Sequence, residues 1–144
     1  MKVILSIVVC TYNREKYILK NLEHCYNQSL DKSSYEVILV NNNSPDNTEQ
    51  ICLKFQKEHP DLQMVYSNER NQGHTWARNR GIKESKGSYI SFLDDDAFVY
   101  FEYAENLIKT LDETPEAIGL GGRIYPVYEG FDEPKWMSPY LLTM

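Results

Sequence analysis

Three adjacent aspartates, Asp94 to Asp96, follow an apolar run in the segment YISFLDDDAFV. Like charges side by side repel, so we expect water, a metal ion or a chemical role for one acid to compensate them. Residues two apart in an extended segment point the same way, so Asp94 and Asp96 converge while Asp95 points elsewhere. Such a pair is a hard-oxygen site suited to Mg²⁺ or Mn²⁺. A solvated acidic turn, or a helix cap by Asp96, stays open as the alternative.

Two further polar clusters follow apolar runs and offer side chains suited to binding. The segment CTYNR contains Thr11, Tyr12 and Asn13, and the segment NNNSPDN contains Asn41 and Asn42. In a sheet of parallel strands, ligands bind outside the carboxyl ends of the strands. Because each of the three clusters follows a strand pattern, we expect them to share a cleft at one edge of the sheet.

The elements that must position these clusters alternate between strand and helix. Continuous apolar runs predict strands buried on both faces, and apolar residues at helical spacing predict the helices between them. The predicted strands are 3–9, 37–40, 64–66 and 89–93, with a last one within 117–127, and the predicted helices are 15–28, 44–58, 75–86 and 100–113. This order predicts an α/β fold, with a mostly parallel central sheet and helices on both faces.

The composition bounds the class of protein. A chain of 144 residues with 42% hydrophobic and 25% charged residues is typical of one soluble globular domain. The net charge of -6 argues against a general nucleic-acid binder. The three cysteines are widely spaced and form neither a CxxC pattern nor a disulfide framework, and no apolar run is long enough for a membrane span. We therefore expect a cytoplasmic protein.

Four motifs, spread over three segments of the chain, resemble those of the family 2 glycosyltransferases, whose nucleotide-sugar domain has the Rossmann-like GT-A fold. The segments are, in chain order, VVCTYNR, VNNNSPDNT and NQGHTWARNRGIKESKGSYISFLDDD, and the last contains both ARNRG and DDD. The resemblance covers residues 2–127 and implies a sugar transfer from a nucleotide-diphosphate sugar to an acceptor hydroxyl, with inversion. It also implies a divalent cation, Mn²⁺ or Mg²⁺, as cofactor.

The roles of the family's residues carry over to the positions that match its motifs. Thr11, Tyr12 and Asn13 match the loop that borders the base and ribose. Asn41 and Asn42 match the position that reads the base, where the family usually has an aspartate, so the identity of the base is open. The resemblance also implies that Arg78 contacts the diphosphate or the acidic loop, and that Asp94 and Asp95 contact the nucleotide sugar. It implies that the metal is bound by Asp96 and Asp94.

The resemblance does not extend to a general base, which inverting transfer needs to deprotonate the acceptor. Asp132 and Glu133 are the late acids, and their context differs from the family's base motif. We expect residues 1–127 to be the donor-binding domain, and residues 128–144 to begin an acceptor-side region or tail that is truncated. A fragment that binds nucleotide sugars without turnover is therefore the alternative to an active transferase.

Other enzyme classes explain the sequence less well. A phosphatase with Asp94 as nucleophile and Asp96 as acid/base would need a lysine and further acids downstream, where little chain remains. No Gly-rich phosphate loop follows a strand, which disfavours a nucleotidyltransferase or a dinucleotide oxidoreductase. Besides the donor, the expected partner is an unknown glycan or lipid-linked acceptor, while peripheral membrane association and homo-oligomer formation stay open.

Overall fold

The computed structural model describes residues 3–130 and 132. Their elements are β1 (Leu5–Thr11), α1 (Ile18–Tyr26), β2 (Tyr35–Asn41), α2 (Thr48–Glu58), β3 (Met64–Asn68), α3 (His74–Glu84), β4 (Tyr89–Asp94) and α4 (Tyr103–Glu113). The four strands form one parallel sheet in the order β3-β2-β1-β4. This order places β1 and β2 in the middle of the sheet, which accounts for the burial of every residue of β2 and of all of β1 except Cys10.

Helices cover both faces of the sheet, as the strand–helix alternation predicts. On one face, apolar side chains of α1, α2 and α4 form the larger core with alternate residues of the strands. On the other face, Ala77 of α3 packs against Val8, Ile38 and Val40. Helix α3 approaches β1 closely at Gly81, where a Cβ would lie 2.3 Å from Cγ1 of Val8.

Helices α1, α2 and α4 begin three or four residues after their predicted starts at 15, 44 and 100. In front of α1 and α2, the chain forms hydrogen bonds between the two loops instead of a first helical turn. The backbone N–H of Glu15 donates to Asp46, and the backbone N–H of Asn47 donates to the carboxylate of Glu15. Such side-chain contacts compete with the hydrogen bonds of a helix, so the predicted first turns are loops.

The strand predicted within 117–127 is wrong, because the structure has no strand there. Its apolar side chains Ile118, Ile124 and Val127 are exposed. The segment pairs with none of the four strands, and an extended segment without a ladder partner is not a stable strand. Of the predicted tail region, the structure describes 128–130 and 132, without a helix or strand, while Glu133 lies outside the described residues.

Within the described part of the chain, no helix has the length and apolar character needed to cross a membrane.

Candidate active site

The polar segments at the ends of β1, β2 and β4 line one cleft. The register pairs Thr11 with Asn41 and Cys10 with Asp94, so these strands end side by side. The cleft has a volume of about 490 Å³, which is in the usual range for small-molecule sites. Six of the predicted site residues line it: Thr11, Tyr12, Asn42, Asp94, Asp95 and Asp96.

The three aspartates differ in their exposure. The side chains of Asp94 and Asp96 are 68% and 53% exposed, whereas that of Asp95 is 11% exposed. This is the alternation expected of residues leaving a strand, with one pair open to solvent and the residue between them turned inward. Two carboxylates are therefore available to a ligand in the cleft.

The backbone of the aspartate turn is held from below by Asn21 of α1, a fully buried side chain. Its Nδ2 donates to the carbonyl oxygens of Asp94, at 3.0 Å, and Ala97, at 2.7 Å. Asn21 lies outside the motifs that mark the site in the sequence. The signal in the sequence is a polar residue on the otherwise apolar face of a helix, which has to find partners once it is buried.

Two arginines compensate the aspartates. Arg14 places its Nε 3.3 Å from Oδ1 of Asp95 and its Nη2 3.8 Å from Oδ2 of Asp96. Arg78 places its Nη2 3.9 Å from Oδ1 of Asp94. The cost of three adjacent charges is thus offset within the protein, and Arg78, although it does not line the cleft, lies beside the acidic turn.

Burial raises the pKa of two side chains in the cleft wall. It raises the pKa of Asp95 above the ordinary value, although the Thr11 hydroxyl and the Arg14 guanidinium act in the opposite direction. Burial also raises the pKa of the Cys10 thiol to about 11. At neutral pH Cys10 is therefore a protonated thiol in the wall of the cleft and not a nucleophile.

Asn13 shapes the first loop from outside the cleft. Its backbone has a φ of 57°, in the left-handed region that asparagine tolerates better than most residues. Its N–H donates to Oγ of Ser44, at 3.0 Å, and the N–H of Arg14 donates to Oγ1 of Thr48, at 3.1 Å. The position of Arg14 is therefore set by the first residue of α2 and by the loop that precedes it.

The side chain of Asn41 is engaged within the protein and does not line the cleft. Its Nδ2 donates to the hydroxyl of Tyr66 at 3.0 Å, and its Oδ1 accepts the backbone N–H of Ser44 at 3.0 Å. A base-reading role for Asn41 stays a prediction. Through these two hydrogen bonds, Asn41 holds the turn that follows β2.

The side chain of Asn42 lines the cleft, and both its donor hydrogens are used by the loop before α3. Its Nδ2 donates to the carbonyl oxygens of Glu69 and Asn71, and its Oδ1 accepts the backbone N–H of Gly73. That glycine has a φ of 137°, which a residue with a side chain rarely adopts. Base reading by Asn42 stays a prediction, and holding this loop is an additional role.

Cleft residues that sequence analysis did not assign come from the loops in front of α1 and α3. Arg14 follows the TYN motif, and Gln72 and His74 flank Gly73. Among the described residues, His74, which follows Gly73, is the one histidine in the cleft lining. Nothing in the local pattern around Arg14 marks its contact with a turn more than eighty positions away.

The donor set fits a divalent cation shared with phosphate oxygens. Asp94 and Asp96 offer exposed carboxylate oxygens, which are the ligands that Mg²⁺ and Mn²⁺ prefer. In the described residues no three His, Cys, Asp or Glu side chains are grouped so as to hold an ion by themselves. Two carboxylates leave the other coordination positions to water and ligand, which is the usual arrangement for an ion bound to a nucleotide.

Comparison with known proteins gives relatives over most of the chain. A minor teichoic acid biosynthesis protein, GgaB of Bacillus subtilis, is 36% identical over 115 residues, which are 80% of this chain and 13% of the relative. A dolichyl N-acetyl-alpha-D-glucosaminyl phosphate 3-beta-D-2,3-diacetamido-2,3-dideoxy-beta-D-glucuronosyltransferase of Methanococcus voltae is 32% identical over 130 residues, 87% of this chain and 40% of the relative. The chain thus spans less than half the length of these curated relatives.

Solved structures share the fold. TarS 1–349 of S. aureus, in complex with UDP, has 30% identity and a TM-score of 0.72, over 78% of this chain and 33% of that one. The mannosyltransferase PcManGT of Pyrobaculum calidifontis, in complex with GDP-Man and Mn²⁺, has 26% identity and a TM-score of 0.73, over 77% and 33%. The predicted GT-A fold is confirmed.

The family model described as Glycosyl transferase family 2 matches residues 6–142. The match includes the ends of β1, β2 and β4 that form the cleft, together with α3 and the aspartate turn. The chain belongs to glycosyl transferase family 2.

Proposed function

We propose that this chain is the donor-binding part of an inverting glycosyltransferase that takes a sugar from a nucleotide-diphosphate sugar, with a divalent cation held at Asp94 and Asp96. The observation that carries the proposal is the convergence of three strand ends on one cleft in which these two carboxylates are exposed. Family membership and the nucleotide complexes of the similar structures support it.

The nucleoside would lie against the loop that follows β1. Tyr12 lines the cleft and is 48% exposed, so its ring offers a face on which a base can stack. Thr11 is buried beside it in the wall, and Asn13 holds the loop in its left-handed turn. Asn41 and Asn42 fix the neighbouring turns, so they shape the base pocket whether or not they contact the base.

The diphosphate would lie between the aspartate turn and the arginines. Arg78, beside Asp94, can turn toward an anion because its ion pair is long and its side chain is partly exposed. When bound, a divalent cation supplies Lewis-acid stabilisation of the charge that develops on the leaving nucleoside diphosphate. Asp94 and Asp96 would hold it, whereas Asp95 is turned toward Arg14 and is not free to join them.

The proposal assigns no general base. In the part of the chain that the structure describes, the only carboxylates that line the cleft are the three aspartates, and these already serve the donor side. Binding of a nucleotide sugar without turnover therefore stays the alternative outcome for this chain by itself. The acceptor, a cytoplasmic location and any membrane association also stay predictions.

Calorimetric titration of the chain with UDP, GDP, ADP and CDP, with and without Mn²⁺, tests the proposal. We expect at least one nucleotide to bind and its affinity to depend on Mn²⁺. Replacing Asp96 with Asn should reduce the gain in nucleotide affinity that Mn²⁺ produces by about tenfold or more, because one charged ligand is lost. Glu116→Asn, an exposed acid outside the cleft, is the matched control and should bind as the wild type does.

Two results would contradict the proposal. One is the absence of Mn²⁺-dependent binding to any of the four nucleotides. The other is an Asp96→Asn variant that keeps its fold, judged by circular dichroism, and binds metal and nucleotide with unchanged affinity.

A further inference from the structure

We propose that Arg14 is a positioning residue for the cation site and acts through Asp95. The inference rests on the proposed function, because it explains how the two exposed carboxylates are held for a metal. The family resemblance implies a contact with the diphosphate or the acidic loop for Arg78, and it implies no role for Arg14.

Arg14 contacts the one aspartate that a ligand cannot easily reach. Its Nε lies 3.3 Å from Oδ1 of Asp95, whose side chain is 11% exposed, and its Nη2 lies 3.8 Å from Oδ2 of Asp96. A planar guanidinium that reaches two neighbouring carboxylates restrains their relative orientation, which a single point charge does less well. Asp95 is thereby kept on the inner side of the turn, so that Asp94 and Asp96 stay on the outer side.

The backbone of Arg14 is itself fixed. Its N–H donates at 3.1 Å to Oγ1 of Thr48, a fully buried side chain at the start of α2, and the N–H of Asn13 is anchored on Ser44. The contact from Arg14 to Asp95 therefore connects the loop after β1, which is itself bonded to Ser44 and Thr48, with the aspartate turn after β4. Two loops that follow different strands are held in one geometry by a single side chain.

The same turn has a second support that is independent of Arg14. Asn21 holds the backbone carbonyls of Asp94 and Ala97, so losing Arg14 is expected to leave the path of the chain in place. What changes is the side-chain direction of Asp95 and Asp96. This separates a positioning role from a general structural role, because the fold is retained while the metal site loosens.

Electrostatics alone predicts the opposite sign for the effect of removing Arg14. Taking a positive charge away from Asp96 and its neighbour Asp95 should strengthen the attraction of the site for a cation. A positioning role predicts weaker binding, because groups that orient metal ligands typically contribute about 10- to 100-fold to affinity. The direction of the change thus decides between the two.

The experiment measures Mn²⁺ affinity from the free Mn²⁺ signal in electron paramagnetic resonance, at saturating concentration of the nucleotide that the wild type binds, corrected for Mn²⁺ bound by free nucleotide. We expect Arg14→Gln to weaken Mn²⁺ binding about tenfold with its melting temperature nearly unchanged. We expect Arg14→Lys, which keeps the charge but not the planar guanidinium, to weaken Mn²⁺ binding in the same way. This variant tests the inference even if Arg14→Gln fails to fold. Lys16→Gln, an exposed cation two positions on that pairs with Glu129, is the matched control and should bind as the wild type does.

A double-mutant cycle separates action through Asp95 from direct contact with the ligand. If Arg14 acts through Asp95, then Asp95→Asn weakens Mn²⁺ binding to a similar degree, and the Arg14→Gln/Asp95→Asn double variant is no weaker than the weaker single variant. Additive losses, or Mn²⁺ binding by Arg14→Gln that is equal to or tighter than wild type, would overturn the inference while leaving the proposed function intact. If the wild type shows no Mn²⁺-dependent nucleotide binding, both the inference and the proposed function are wrong.

Discussion

The side-chain amide of Asn42 makes three hydrogen bonds to one loop, and this distinguishes asparagine from aspartate at that position. Its two donor hydrogens go to the carbonyl oxygens of Glu69 and Asn71, and its oxygen accepts the N–H of Gly73. A carboxylate could accept from Gly73, but it would face two carbonyl oxygens without a proton to share. The departure from the family's aspartate therefore has a local structural reason.

Replacing Asn42 with Asp should destabilise the protein at neutral pH. Two donated hydrogen bonds are lost and like partial charges are brought together in a buried place, so we expect a loss of about 2–3 kcal/mol in the free energy of unfolding. Urea denaturation measures it, and amide exchange should show faster opening of residues 69–73. Asn43→Asp, at an exposed neighbour, is the control. Equal stability of the two variants would contradict this account.

The candidate site residues that could be predicted are those whose place at the end of a strand is enough to bring them to the cleft. Asp94, Asp96, Thr11 and Tyr12 follow strands in a parallel sheet, and the topology alone brings them to one cleft. Arg14 escaped prediction because its role depends on the side-chain path to Asp95, which no local pattern encodes. For Asn42, the motif gave the position but not the partners, because these lie in a loop 27 to 31 residues further on.

At the scale of elements, the loops before α1 and α2 are joined by reciprocal hydrogen bonds. Asp46 accepts the backbone N–H groups of Glu15 and Thr48, and Glu15 accepts the backbone and side-chain N–H groups of Asn47. Burial by itself would raise the pKa of Asp46, but the hydrogen bonds outweigh it and hold the pKa below the ordinary value of 3.8. The ionised form is thus the one that the fold favours.

The contribution of Asp46 to stability should depend on pH. Because its pKa is lower in the folded than in the unfolded state, the contribution is complete above pH 3.8 and is lost as the pH falls through the folded-state pKa. In Asp46→Asn one of the two carboxylate oxygens becomes an NH₂ group, which cannot accept a hydrogen bond, so one of the two bonds is lost. We expect a cost of about 1 kcal/mol at pH 7, the usual size of a helix-cap loss. Unfolding measured from pH 7 down to pH 2 should show this difference shrinking.

The matched control for Asp46 is Glu116→Gln, since Glu116 is exposed and has no hydrogen bond or ion pair in the described structure. Its stability difference from the wild type should be small at every pH. A difference for Asp46→Asn that grows toward low pH would show that the sign of the argument is wrong.

Helix α3 packs on the sheet through Gly81, and a methyl group there has nowhere to go. A Cβ at this position would lie 2.3 Å from Cγ1 of Val8, a buried β-branched side chain with little rotational freedom. Overpacking costs about 1–3 kcal/mol, and the better helix propensity of alanine returns about 1 kcal/mol. We expect Gly81→Ala to be destabilised by about 1 kcal/mol in urea denaturation, whereas Gly119→Ala, where nothing lies within 4 Å, should not change.

The elements themselves were largely predictable, and the errors lie where loops compete with them. Strands β1 and β2 are buried apolar runs, and a continuous run of this kind predicts both the strand and its place inside the sheet. Strands β3 and β4 are shorter, lie at the edges and are buried only in part. The starts of α1 and α2 were predicted too early because Glu15 and Asp46 bond to each other's loops. The segment 117–127 has the apolar residues of a strand but lacks a partner, and pairing is not a property of one segment's sequence.

At the scale of the whole molecule, strand β4 is unevenly covered. It is an edge of the sheet in the described part of the chain. Its residues Ile90 and Phe92 are 39% and 41% exposed, on the face where α3 covers β1 and β2. An apolar edge strand is a surface on which chains associate.

We therefore expect the chain to associate at high concentration in sedimentation velocity, and Ile90→Lys to reduce this by placing a charge on the edge. Because Ile90 is partly exposed already, the substitution should cost no more than about 1 kcal/mol of stability. Lys83→Glu, an exposed change on α3, serves as the comparison and should leave association as it is. A wild type that stays monomeric at all concentrations would contradict the prediction.

The strand order β3-β2-β1-β4 also has a consequence for the time course of folding. Strands β1, β2 and β3 are neighbours in both sequence and space, so they can pair through short crossovers as soon as they leave the ribosome. The pairing of Leu5 with Tyr89 joins the two ends of the sheet-forming sequence, and it has to wait until the whole of β4 has been synthesised. The aspartate turn lies at the end of β4, so the carboxylates of Asp94 and Asp96 are the last part of the cleft to be set in place. During synthesis, the flank of β1 that will receive β4 is open to other strands in the cell, and a chaperone that shields it would act in that interval.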